Sequence, residues 1–162
     1  MGMERIDRII GHPLFDKHMT LNREAEKDRR FCRHDMAHFL DVARIARIMN
    51  LEEGLGIEDE LIYAAALLHD IGRHLQYFEG ISHEQASAGI APAVLKDCGF
   101  TEEETISVTD AIAAHRDGAV AGERSLRGIL YRADKASRPC FCCDVREDCS
   151  WKQERKNMRI CY

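Results

Sequence analysis

No stretch of this 162-residue chain approaches the roughly 20 consecutive apolar residues of a membrane span. Its first turns carry Glu4, Arg5, Asp7 and Arg8 where a signal peptide would have an apolar core, so a cytoplasmic location is expected. Positive charge is also short. Lys and Arg number 23 against 28 Asp and Glu, a net charge of -5, which argues against a nucleic-acid polymer held by its backbone, because such binding needs a basic face. Small phosphorylated molecules remain compatible, since a few local arginines and a metal can hold them. No period-two alternation, internal repeat or low-complexity tract is present, so neither a sheet nor a solenoid is expected. With 45% hydrophobic residues the composition is that of one globular domain with a sizeable core. Seven cysteines, an odd number in a chain without an export signal, favour metal binding or free thiols over a disulfide framework.

What is present reads as helix after helix. A short helix over 3–10 is followed by one that Pro13 opens at its first turn, continuing from 14 to about 31. Met36, Phe39, Leu40, Ala43, Ala46 and Met49 recur at helical intervals between Asp35 and Leu51, and Gly54 and Gly56 mark the end. Further helices are predicted over 58–70, over 82–97 between Ser82 and Gly99, from the Thr101-Glu102-Glu103-Glu104 capping box to His115, and over 125–137 after a glycine-rich loop. Gly72 is expected to let the chain turn away after residue 70. A last short helix is expected after Ser150, with Gln153 three residues on. The fold class is all-α: a helical bundle over 1–138 with a short Cys-rich tail, 139–162, packed on the same domain.

The sharpest local signal is Leu67-Leu68-His69-Asp70-Ile71-Gly72, where an apolar helix finishes on two adjacent metal-ligating side chains. A helix that buries Leu67 and Leu68 has little reason to end so unless something binds there. Four more residues stand at intervals around the doublet: His38, with Val42-Ala43 after it, then His83, His115 and Asp134, which precedes Lys135. The order His, His-Asp, His, His, Asp resembles the HD-domain superfamily of metal-dependent phosphohydrolases over residues 34–138. The chain departs from that pattern at Arg73, where the family more often has lysine, and keeps the positive charge.

The resemblance implies that His38, His69, Asp70 and Asp134 hold one divalent ion, and that Asp70 bridges to a second held by His83 and His115. Imidazoles and carboxylates suit Fe, Mn, Co, Ni or Zn, with Mg also in range. Two such ions share a water, lower its pKa and clamp the oxygens of an in-line displacement, which is hydrolysis of a phosphate ester or anhydride. Asp70, Arg73 and His34 are the catalytic candidates, and Arg73, Arg116 and Lys135 the substrate-binding ones, because phosphates need positive charge beyond the metals. His34, four residues before His38, is expected on the same helical face, as a partner of the ligands, a proton donor to the leaving group or a surface residue. The expected partner is a nucleotide or related small phosphate, and the His83–His115 pair points to binuclear branches similar to symmetrical dinucleoside-tetraphosphate hydrolases. A di-iron oxygenase and a non-catalytic regulatory module are the alternatives within the same resemblance. His12, His18 and His74 read as structural, with His74 near enough to the site to touch substrate.

Cys140, Cys143 and Cys149 are spaced so that thiolates converge on zinc or an iron-sulfur centre, one ligand short of a closed site. Cys142, Cys161 or Cys32 could supply the fourth. Cys32 is favoured, because it lies six residues before His38 as Cys140 lies six after Asp134, about 9 Å of helix in each case. The alternative is reduced thiols in a tight turn, and Cys98 reads as a core residue.

Overall fold

The structure, a computed structural model, describes residues 2–160 and Tyr162; Cys161 lies outside the described residues. Among these residues there are eight α-helices and no strand: α1 (Glu4–Ile10), α2 (Pro13–Ala25), α3 (Met36–Glu53), α4 (Asp59–Leu68), α5 (Arg73–Glu79), α6 (His83–Asp97), α7 (Glu102–Ala114) and α8 (Leu126–Ala136). No helix is long and apolar enough to cross a membrane.

The short helix α4 is the axis of the bundle. Ala64, Ala65, Ala66, Leu67 and Leu68 are all fully buried, the mark of a helix apolar on every side. It packs against α3, α6, α7 and α8, and the three alanines let those neighbours approach closely. Burying Leu67 and Leu68 contributes about 1.5–3 kcal/mol each. The lower corner is pinned by Arg5, which pairs with Glu60 and Glu104 and so ties α1 to the first turns of α4 and α7. Thr101 caps α7 as the sequence predicts, accepting from Glu104 N–H while Glu104 accepts from Thr101 N–H.

Four local expectations need correction. Helix α2 stops at Ala25 instead of about residue 31, because the Glu26 carboxylate turns inward to accept hydrogen bonds from the backbone N–H and ring of His34 and from Tyr77 Oη. His34 is therefore not on the His38 helix: Asp35 is the N-cap, accepting from His38 N–H, and α3 begins at Met36. The turn expected after the His-Asp doublet is present and short, and the chain then coils again as α5. Gly72 serves close approach and not turning, since its φ is an ordinary -91° while a Cβ there would lie 2.7 Å from the Ser87 nitrogen on α6. In the tail, the expected helix capped by Ser150 is a single 3₁₀ turn, Gln153–Arg155, preceded by Lys152.

The tail is fastened to the bundle by the Asn157 amide, which donates to the carbonyl oxygens of Lys135, Ala136 and Arg138. An ion pair between Arg30 and Asp148 joins it to the segment before α3.

Candidate metal centre

Five helices deliver six ligand-type side chains to one buried point. His38 comes from the first turn of α3, His83 from the first residue of α6 and Asp134 from the last turn of α8, while His69 and His115 are the C-cap residues of α4 and α7. Asp70 follows α4 directly. Two helix C-termini, each the negative end of a helix dipole, thus face the centre and favour a cation there. The Asp70 carbonyl accepts from the Asn22 amide, whose oxygen in turn accepts from His74 N–H, so buried Asn22 moulds the turn between α4 and α5.

The carboxylate of Asp70 is divided between two groups. Its Oδ2 lies 3.1 Å from His69 Nε2 and 3.7 Å from His38 Nε2, and Asp134 Oδ1 lies 3.4 and 3.7 Å from His38 and His69. Its Oδ1 lies 3.3 Å from His83 Nε2 and 3.6 Å from His115 Nε2. The ligand atoms of His38, His69, Asp70 and Asp134 all fall within 4.8 Å of one another, as do those of Asp70, His83 and His115. A cation bound at about 2.1 Å to each ligand sets neighbouring ligand atoms about 3.0–3.5 Å apart, which the closest pairs here already match and the rest exceed by about 0.2 Å.

Hydrogen bonding behind the rings fixes which nitrogen faces inward. The Nδ1 of His69 donates to the Ala66 carbonyl at 2.7 Å and that of His115 to the Ile112 carbonyl at 2.6 Å. The Ser137 hydroxyl, which donates to Asp134 O, accepts from His38 Nδ1, and Gln76 Oε1 stands 2.6 Å from His83 Nδ1. The Nε2 of His69 and of His115 therefore offers a lone pair to the centre, as does that of His83 when its Nδ1 donates to Gln76 and that of His38 when its Nδ1 donates to Ser137. The Nε2 atoms of His83 and His115 lie 3.2 Å apart, close enough for one cation to take a lone pair from each when His83 Nδ1 donates to Gln76. Buried His69 Nε2 and Asp70 Oδ1 have no hydrogen-bond partner, an expensive condition that a metal ion removes. The residues fit a divalent cation in each group.

The electrostatics agree. Burial alone would push the Asp70 and Asp134 carboxyls up, but the surrounding histidines, joined at Asp134 by Lys135, hold both well below the usual range, so both are anionic. His69 is pushed up to about 10, burial being outweighed by Asp70 and Asp134, which measures how strongly the centre asks for positive charge. His83 is pushed down to about 3, chiefly by burial and then by Arg73 and His115, and stays neutral as a ligand must.

The centre opens on a cavity of about 630 Å³. Six basic side chains line it, Arg29, Arg73, Arg116, Lys135, Arg138 and Arg155, in a chain whose net charge is -5. All three expected phosphate-binding residues are among them. Arg73 Nη1 lies 2.6 Å from His83 Nδ1, a contact that competes with Gln76 for the same atom, and its guanidinium lies over the Tyr77 ring. Lys135 donates to Asp134 Oδ2 at 2.6 Å, while Arg116 is exposed at the rim. His34 is buried on the cavity wall, its Nε2 3.8 Å from Asp70 Oδ2 and its Nδ1 against Glu26. His74 does not line the cavity; it stacks on His18, while His12 caps α2 and pairs with Asp97.

Three participants escaped the sequence reading. Arg138 donates to His38 Nε2 at 3.1 Å and to the Arg33 carbonyl, and its place one turn after Asp134 was the available signal. Glu26 and Gln76, which hold His34 and His83 from distant turns, left no sequence pattern to find.

With this geometry established, the family follows. The HD domain matches residues 36–138, and the chain belongs to that family, with two buried His/Asp groups suited to metal ions. A protein of Clostridium beijerinckii described as uncharacterized is 42% identical over 160 residues, 99% of this chain and all of its own length. A predicted HD superfamily hydrolase from an uncultured Thermotogales bacterium superposes with a TM-score of 0.61 at 28% identity, covering 88% of this chain and 81% of its own. Ribonuclease Y 1 of Pediococcus pentosaceus is 34% identical over 84 residues, 52% of this chain but 14% of the ribonuclease.

Proposed function

We propose that the chain is a metal-dependent phosphohydrolase with a binuclear centre, acting on a phosphate ester or anhydride of a nucleotide or related small molecule. The observation that carries this reading is the division of Asp70, one oxygen to each ligand group, at the floor of a cavity whose walls are basic. Two bound cations supply Lewis acidity for attack of water on phosphorus. The chain's own residues do the rest. Arg73 and Arg116 grip the phosphate oxygens, Arg73 releasing His83 Nδ1 to Gln76 as it does so. Lys135 holds Asp134 in its anionic form. His34, neutral because burial lowers its affinity for protons, is oriented by Glu26 to move a proton beside Asp70 Oδ2. Phe31, Tyr131 and Trp151 line the same cavity and offer faces for a nucleobase. We place this activity in the cytoplasm.

The test is phosphate release from a panel of nucleotides, dinucleoside polyphosphates, small phosphate esters and RNA oligomers, on protein purified anaerobically with its metals determined. Turnover of a nucleotide or other small phosphate that Asp70→Asn abolishes supports the proposal. Two irons with oxygen uptake and no phosphate release would replace hydrolysis with oxygenation. Faster cleavage of RNA than of any small substrate would move the substrate class towards that named for the ribonuclease relative.

A further inference from the structure

Outside the His/Asp centre, four cysteines, Cys32, Cys140, Cys143 and Cys149, stand on segments that meet at the start of α3 and the tail. Cys140 opens a 3₁₀ turn that Cys143 closes, its N–H donating to the Cys140 carbonyl, which keeps the two residues adjacent. Two ties bring the remaining partners to that turn. Arg138 donates to the carbonyl of Arg33, fixing the residue after Cys32 near the residue two before Cys140, and Arg30 pairs with Asp148, fixing the other flank of Cys32 near Cys149. Cys32, Cys140 and Cys149 all line the one cavity. Cys32 lies within electrostatic reach of Cys140, Cys143 and Cys149. Cys142 is excluded, being exposed with its thiol turned to the Pro139 carbonyl, and Cys98 is buried in the core.

Among the described residues no three cysteine sulfurs fall within 4.8 Å of one another, whereas both His/Asp groups meet that measure. A single tetrahedral zinc, with Zn–S of about 2.3 Å, draws its sulfurs to about 3.8 Å apart. A cluster of several irons and sulfides holds its four thiolates farther apart, each on a different iron. We propose that Cys32, Cys140, Cys143 and Cys149 ligate an iron-sulfur cluster that joins the tail to the start of α3 beside the metal centre. This assignment does not depend on the hydrolytic reading.

The experiment is iron, zinc and acid-labile sulfide analysis of the full chain purified anaerobically, with visible absorption before and after dithionite. About four sulfides per chain with matching iron, beyond whatever the His/Asp groups hold, and absorption that dithionite bleaches, is the expected result for a four-iron cluster. Cys143→Ala and Cys32→Ala should lose the sulfide, while Cys142→Ala and Asp70→Asn keep it. Absence of labile sulfide in the wild-type chain would overturn the cluster, whether or not the cysteine variants fold. One zinc without sulfide, lost in Cys143→Ala, would replace it with a single ion. Equal loss of sulfide in Cys142→Ala and Cys143→Ala would overturn the ligand assignment.

Discussion

Gly72→Ala should loosen one metal group and spare the other. The added Cβ would stand 2.7 Å from the Ser87 nitrogen and 2.8 Å from both the Ala86 carbonyl carbon and its Cβ. Two of these three atoms are backbone, so no rotamer relieves the clash and α6 must move away from the α4–α5 turn. Overpacking of this kind costs about 1–3 kcal/mol. The same movement lengthens the 2.9 Å bond that Gly72 N–H donates to Ser87 Oγ, worth about another 1 kcal/mol in a buried setting. Together they predict a loss of about 2–4 kcal/mol in denaturant unfolding with unchanged m-value. Helix α6 carries His83, four residues before Ser87 and facing Asp70 Oδ1, whereas His38, His69 and Asp134 lie on α3, α4 and α8. Metal titration should therefore show weakened binding at the Asp70–His83–His115 group and little change at the other. A stability change under about 0.5 kcal/mol, the ordinary range for an indifferent surface change, would refute the packing argument. Equal weakening of both groups would refute the claim that α6 serves only one of them.

Three further outcomes follow from the same geometry. Arg138→Met removes the donor to the Arg33 carbonyl, so proteolysis in the 26–35 segment should rise, read by limited digestion and mass spectrometry. His18 is pushed down to about 4 by burial and then by His74 and Lys17, below its unfolded value of 6.5. Its contribution to stability is thus fully present above about pH 6.5 and lost as pH falls through about 4, and His18→Phe should flatten the unfolding midpoint across that window, which denaturant titrations at stepped pH would read. Trp151→Ala should raise KM for a base-bearing substrate by about tenfold, since stacking is worth about 1–3 kcal/mol, and leave KM for pyrophosphate nearly unchanged.

The helical order was legible because it rests on local pattern, such as the Thr101–Glu104 capping box, and the six ligand-type residues because their order around Leu67-Leu68-His69-Asp70 resembles the HD-domain pattern. What escaped depends on contacts between distant segments. No periodicity near residue 26 announces that Glu26 will turn inward, because its partners His34 and Tyr77 are brought to it by tertiary packing. Gly72 was given the right importance for the wrong reason, since close approach to α6 is visible only once α6 is in place. Helix α5 was not among the predicted helices, since only a turn at Gly72 was expected between residue 70 and the helix over 82–97. The narrow role given to Arg73, Arg116 and Lys135 understated the site: Arg29, Arg138 and Arg155 reach the same cavity from segments with no metal-ligand pattern.

The central claim is that Asp70 serves two ions at once. Anomalous diffraction from crystals grown with manganese tests it most directly. The account predicts two peaks, one among His38, His69, Asp70 and Asp134 and one among Asp70, His83 and His115, with both absent in Asp70→Asn. A single peak, or an Asp70→Asn variant that keeps both, would contradict it.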